Sequence, residues 1–157
     1  MSFSGLVKCI EINSTGLECC AQLDFGNVVG KLNCYMLLAK SYEPYSSANE
    51  VSVYIEDGEP KILKVGETKE IELSVIFGKN CFKIDLGTQE DVIQTLDTSS
   101  HTEFIATVKN LIDEYTIVCS IDKLGKNILV EFEDMVDYLV EEDKIVFSGE
   151  IKAEIIN

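Results

Sequence analysis

Ile71-Glu72-Leu73-Ser74-Val75-Ile76-Phe77-Gly78-Lys79-Asn80-Cys81-Phe82-Lys83-Ile84-Asp85-Leu86 is the stretch on which the fold turns. Ile71, Leu73, Val75 and Phe77 share one face and Glu72 and Ser74 the other, the period of two shown by a half-buried strand. Gly78-Lys79-Asn80 contains residues that tolerate positive φ, and Phe82, Ile84 and Leu86 resume the alternation beyond it. A β-hairpin is therefore expected over 71–86.

The same period recurs outward in both directions. Val51, Val53 and Ile55 alternate with Ser52, Tyr54 and Glu56, and strand-like runs cover 104–109, 115–121, 128–133 and 144–156. Asp113-Glu114 and 122–127 supply turn residues between them. Toward the N-terminus, 6–12, 16–25 and 28–39 read as strands broken by Asn13-Ser14-Thr15-Gly16 and Gly26-Asn27. The third would also suit a helix, with Leu32, Tyr35, Met36 and Ala39 on one face.

Two stretches have helical spacing. Gln89–Leu96 could form two turns behind Thr88 as N-cap. Asp134–Val140 pairs Met135 with Leu139 and Val136 with Val140 at i, i+4, leaving Asp134, Asp137 and Glu141 outward. The expected fold is mainly β, with about nine antiparallel strands in a sandwich or partly open barrel and two short helices. The small polar run Asp97-Thr98-Ser99-Ser100-His101 marks a boundary between an N-terminal subdomain, 1–97, and a C-terminal one, 101–157.

Composition narrows the chemistry. The chain has 157 residues, 28 acids, 13 bases and a formal charge of −15, yet 46% of it is hydrophobic, too much for a disordered acidic tail. Every base is lysine, so no bidentate guanidinium clamp is available for phosphate or carboxylate. His101 is the one histidine and falls in the polar linker, with no signature of a cysteine nucleophile, serine elbow or phosphate loop around it. No enzyme activity, cofactor or metal site is expected. The six cysteines, at 9, 19, 20, 34, 81 and 119, lie in apolar strand-like segments without CxxC spacing, as buried reduced thiols do. Cys19 and Cys20 should point to opposite faces. The first eight residues lack a basic region followed by an apolar run. Other apolar runs, such as Tyr35–Ala39, are far shorter than the roughly 20 residues of a membrane helix. A cytoplasmic location away from membranes is expected.

Strand, strand, strand, short helix and long strand over 103–156 resembles the OB fold, whose helix lies between its third and fourth strands. The pattern departs from that family in lacking a separate fifth strand. Either Lys144–Ile156 bends across two positions, or another segment closes the barrel. OB-type nucleic-acid binding does not fit, because 101–157 carries 13 acids against five lysines, a net of −8. Phe104, Phe132 and Phe147 lie on apolar faces and read as core.

The charge distribution singles out one segment. From 131 to 143, Glu131, Glu133, Asp134, Asp137, Glu141, Glu142 and Asp143 are seven acids with no base among them. Such a run serves as a solvated face in many proteins, and it lacks the spacing of a calcium loop. It also suits attraction of a cationic surface, with Tyr138 as an anchor. The tip Glu56-Asp57-Gly58-Glu59 has Lys61 and Lys64 close in sequence. In overall character the chain resembles bacterial toxin immunity proteins, which neutralise cationic nuclease toxins. That resemblance implies a basic protein partner, such as a toxin domain, meeting Glu131, Glu133, Asp134, Asp137, Tyr138, Glu141, Glu142 and Asp143. Two other classes compete. One is an assembly module that self-associates through the exposed side of Lys144–Asn157. The other is an adaptor holding a small ligand in a barrel mouth.

Overall fold

A computed structural model describes residues 4–26, 29–42, 46–96 and 99–156. Among them are twelve strands: β1 (Ser4–Ser14), β2 (Glu18–Asp24), β3 (Lys31–Leu37), β4 (Ser46–Ala48), β5 (Glu50–Val53), β6 (Lys61–Lys64), β7 (Thr68–Lys83), β8 (Asp91–Ile93), β9 (His101–Leu111), β10 (Thr116–Ile121), β11 (Gly125–Phe132) and β12 (Lys144–Ile155). Ten hydrogen-bond into one mixed sheet, and β5 and β6 pair separately. The described residues contain no helix, and none therefore that is long and apolar enough to cross a membrane.

The chain forms two compact units, each discontinuous in sequence. One comprises Ser4–Glu72, Leu96–Ser100 and Lys152–Asn157; the other comprises Leu73–Thr95 and His101–Ile151. Both β7 and β12 therefore contribute to both units, a different division from one drawn at 97–101. Residues 97 and 98 of that linker, like Asn27 and Val28 farther upstream, lie outside the described residues. His101 belongs to no loop: it opens β9, half-buried, opposite Glu150.

In the first unit β1, β2 and β3 are successive antiparallel neighbours. Strand β3 runs parallel to β12 at Tyr35 and Lys152, the Ile156 N–H donates to Glu70 O at 2.9 Å, and Thr68–Glu72 of β7 pairs antiparallel with Ser4–Lys8 of β1. The circuit of five strands closes. Its interior takes alternate residues of each strand: Cys9 and Ile12, Cys19 and Leu23, Cys34 and Met36, Ile71, Ile155. The helical alternative for 28–39 fails because seven consecutive pairings tie β3 to β2. Cys19 is buried and Cys20 half-buried, on opposite faces as expected.

The second unit closes in the same way from β9, β10, β11, Leu73–Lys83 of β7 and Lys144–Ile151 of β12. Antiparallel pairs join β9 to β10 and β10 to β11, and β12 to β9 over seven residues. The remaining position, between β11 and β12, is filled by β7, which runs parallel to β11. The barrel is thus completed by a segment from elsewhere in the chain, without a bend of β12 across two positions. The sheet is accordingly mixed and not antiparallel throughout. Strand β7 reaches β11 through a long connection, and only such connections allow parallel neighbours.

The expected hairpin over 71–86 does not form, because the chain runs on as one continuous strand to Lys83. Positive φ does occur there, at Phe77 (56°) and Asn80 (55°), but Phe77 sits in a bulge. Val130 pairs with Val75 and Phe132 with Gly78, so two steps on β11 oppose three on β7. The extra residue turns Phe77 outward, 44% exposed, without reversing the chain. Gly78 and Gly149 allow this strand to close the ring. A Cβ on Gly149 would stand 2.9 Å from Val75 Cγ1 and 3.0 Å from Ile76 O, and one on Gly78 2.8 Å from the Phe132 ring. That ring meets Phe147 edge-on with centroids 5.1 Å apart, and Phe147 stacks on Phe104 at 5.0 Å.

Neither expected helix forms. Asp91–Ile93 pairs with Glu103–Ile105 as the edge strand β8, and cross-strand bonds outweigh an eight-residue helix with its costly first turn. Over 136–143 the backbone makes two successive turns, with Leu139 N–H donating to Val136 O at 3.1 Å and Asp143 N–H to Val140 O at 3.2 Å. The inward residues are Val136 and Leu139, while Met135 and Val140 are exposed. Strand β12, considered for self-association, is no free edge: it has a hydrogen-bonded neighbour on either side.

Two outcomes follow from this packing. Gly149→Ala should destabilise by about 1–3 kcal/mol in denaturant titration, because the obstructing atoms include backbone. Gly87→Ala should be near neutral, since its Cβ meets only Asp85 Oδ1 at 3.5 Å. Second, all six cysteines are free, so denatured protein should titrate six thiols while native protein reacts slowly at pH 8. Burial pushes Cys9 up to about 11 and Cys19 up to about 12 from an ordinary 9.0. Unfolded thiols ionise first, so stability is full below pH 9 and is lost as pH rises through 11 to 12. A denaturation midpoint that stays level across that window would contradict it.

Candidate functional site

The acidic segment follows β11. At its start Phe132 is buried while Glu131 points to solvent, as the alternation of β11 dictates. Glu133 N–H donates to Gly78 O at 2.8 Å, Val136 N–H to Glu114 O at 2.7 Å and Glu142 N–H to Val108 O at 2.8 Å. Three bonds to three different strands or turns of the same unit thus hold the loop, and Val136 and Leu139 sink into the core beneath it. With the inward residues three apart, Asp134, Asp137 and Glu141 are left outside, all exposed.

The seven acids divide into two groups. Glu142, which takes positive φ (73°), receives hydrogen bonds from Lys109 Nζ on both carboxylate oxygens at 3.2 Å. Asp143 lies 3.2 Å from Lys83 Nζ and accepts the Val140 N–H at 2.9 Å, closing the second turn. These two are structural pairs. Among the described residues, Glu131, Glu133, Asp134, Asp137 and Glu141 have no ion-pair partner. Glu114 joins them in space, because its carbonyl receives Val136 N–H. Asp122 does not; it lines a separate depression with Leu86, Glu90 and Lys144. At the tip 56–59 no ion pair forms with Lys61 or Lys64.

Tyr138 is half-exposed, and its hydroxyl donates to Cys81 O at 2.8 Å. Partial burial and its hydrogen bond toward Cys81 push the phenol up to about 12, so it remains a donor across the neutral range. Beside it lies a groove of about 190 Å³ lined by Lys79, Cys81, Phe82, Phe132, Asp134 and Met135 among others. Sequence reasoning missed this groove. Met135 reads as core in a helix, and Phe82 as the inward face of a hairpin arm, but they are 44% and 63% exposed.

The pattern also gives no hint of a second polar cluster. Glu90 accepts hydrogen bonds from Thr107 Oγ1 at 2.5 Å and Ser120 Oγ at 3.2 Å, joining a segment expected to be helical to β9 and β10. Among the described residues no group of three or more histidine, cysteine, aspartate or glutamate side chains is arranged to hold a metal ion. No family model, curated protein or solved structure matches the chain.

The two paired acids are separable from the five unpaired ones by experiment. Asp143→Ala removes both an ion pair and the acceptor that closes a turn, and should cost about 1–2 kcal/mol in thermal or chemical denaturation. Asp137→Ala, exposed and unpaired, should change stability by less than about 0.5 kcal/mol.

Proposed function

We propose that this chain is an acidic, cytoplasmic binding protein that neutralises a basic protein partner, most plainly as an immunity protein against a nuclease-type toxin. The observation that carries this reading is the set of five exposed, unpaired carboxylates on a loop anchored by three backbone hydrogen bonds. A solubilising face needs no such fixed geometry, whereas a surface that meets a partner gains affinity by being ordered beforehand. Glu131, Glu133, Asp134, Asp137 and Glu141 would steer lysine and arginine side chains by long-range attraction, with Tyr138 as the central contact. The second unit, with β7 in the place of a fifth strand, is best read as an OB-like barrel serving as a scaffold. Its charge argues against nucleic acid as the ligand.

The test begins with purification of the tagged chain and its captured partner from the source cell. Association kinetics of that pair are then compared for two variants. Asp134→Lys, Asp137→Lys and Glu141→Lys together should retain the fold, since none of the three side chains is buried or hydrogen-bonded. They should slow association at least about tenfold and flatten its dependence on salt. The control carries lysine at Glu56, Asp57 and Glu59 and should bind nearly as well as the natural chain. Equal losses in the two would assign the attraction to net charge alone. No loss in the first would remove this surface from the mechanism.

A further inference from the structure

We infer that the groove beside the acidic loop receives one large apolar side chain from a lysine- or arginine-rich segment of the partner, adding shape to charge in its recognition. This rests on the binding role proposed above and names the feature of the partner that the site reads.

Three large apolar side chains, Phe82, Met135 and Tyr138, stand 63%, 44% and 47% exposed around a single depression. Its lining also includes buried Phe132 and Val136, which cannot move aside without disturbing the core. Tyrosine and methionine are enriched at the centres of protein interfaces, and partly exposed anchors of this type carry much of the binding energy there. At about 190 Å³ the groove is smaller than the roughly 300–1,000 Å³ that hold drug-sized ligands, and its scale is that of one side chain. It is also preformed: the Tyr138 hydroxyl is tied to Cys81 O, and the Glu133 N–H to Gly78 O.

Charge selects the occupant. Asp134 lines the groove, and Glu133 and Asp137, exposed and unpaired, flank it in the chain. Lys79 is the single base in the lining. A second copy of this chain, carrying −15 itself, would be repelled from such a face. A cationic segment would be drawn to it and could then bury an apolar residue between its charges.

Two synthetic pentapeptides provide the test: four lysines around a central phenylalanine, and four lysines around a central serine. Each is titrated at low salt into the full-length, ¹⁵N-labelled protein and followed by ¹H–¹⁵N spectra. The phenylalanine peptide should bind about tenfold more tightly, the gain expected for largely burying one phenyl ring, with the largest shifts at Phe82, Met135 and Tyr138. Phe82→Ala with Met135→Ala, both at exposed positions, should abolish that preference and leave the serine peptide's affinity unchanged. Equal affinities for the two peptides, with shifts confined to the acids, would overturn the groove assignment and leave the electrostatic reading intact. A preference that survives in the double variant would also overturn it. Tight binding of a control with four serines around phenylalanine would show an apolar ligand and no demand for charge. Binding of neither lysine peptide would remove both this inference and the proposal beneath it.

Discussion

Two glycines set the terms for the rest of the second unit. Gly149 brings β12 against β7, and Gly78 brings β7 against β11, so closely that a methyl group on either would strike a backbone oxygen and a core side chain. Through these approaches β7 occupies the place between β11 and β12, where Phe132 of β11 meets Phe147, itself stacked on Phe104 across the β9–β12 pair. The acidic loop grows from the same point. Gly78 O receives the Glu133 N–H that starts the acidic loop. Beyond it, Lys79, Asn80, Cys81 and Phe82 form one side of the groove. Close backbone contact therefore fixes where carboxylates stand on the outside.

Much of the β content is legible because burial imposes a period of two on any strand with one wet face. The runs 115–121 and 128–133 are strands as expected, and Ile117, Cys119 and Ile121 of β10, like Ile128, Val130 and Phe132 of β11, alternate into the core. What composition and spacing do not encode is which strand neighbours which. Gly78-Lys79-Asn80 has the chemistry of a turn, and Asn80 does adopt positive φ. The same backbone freedom serves equally to absorb a bulge, and pairing with a strand some fifty residues away decides between the two outcomes. Thr88–Leu96 and Asp134–Val140 fail as helices for a related reason. Both are short, and distant partners (Glu103–Ile105 for the first, Glu114 for the second) satisfy backbone groups that a helix would have satisfied locally.

The acidic segment shows the same split between local and distant information. Its seven carboxylates are visible as a run without a base, but Lys83 and Lys109, which pair with Asp143 and Glu142, come from other strands. The surface is smaller and more defined than the run suggests: two acids hold the loop, and five face outward. Met135 and Phe82 were hidden as well, because an apolar residue next to a buried one reads as core whenever the assumed period is wrong. Tyr138 stands half-exposed as its place in the run suggests, while its tie to Cys81 O depends on the route of β7.

The sharing of β7 and β12 between both compact units has a consequence for how the chain can acquire its structure. Strand β12 follows every other described strand in sequence, so a ribosome delivers ten or more strands before either circuit can close. Until then β3 and β9 lack their final neighbours, and unpaired strand borders invite pairing with other chains. Contacts between residues so far apart slow the search for the native state. Solubility therefore matters before the fold is finished, and a formal charge of −15, which sets like chains to repel one another, acts on the incomplete chain as well as on the complete one.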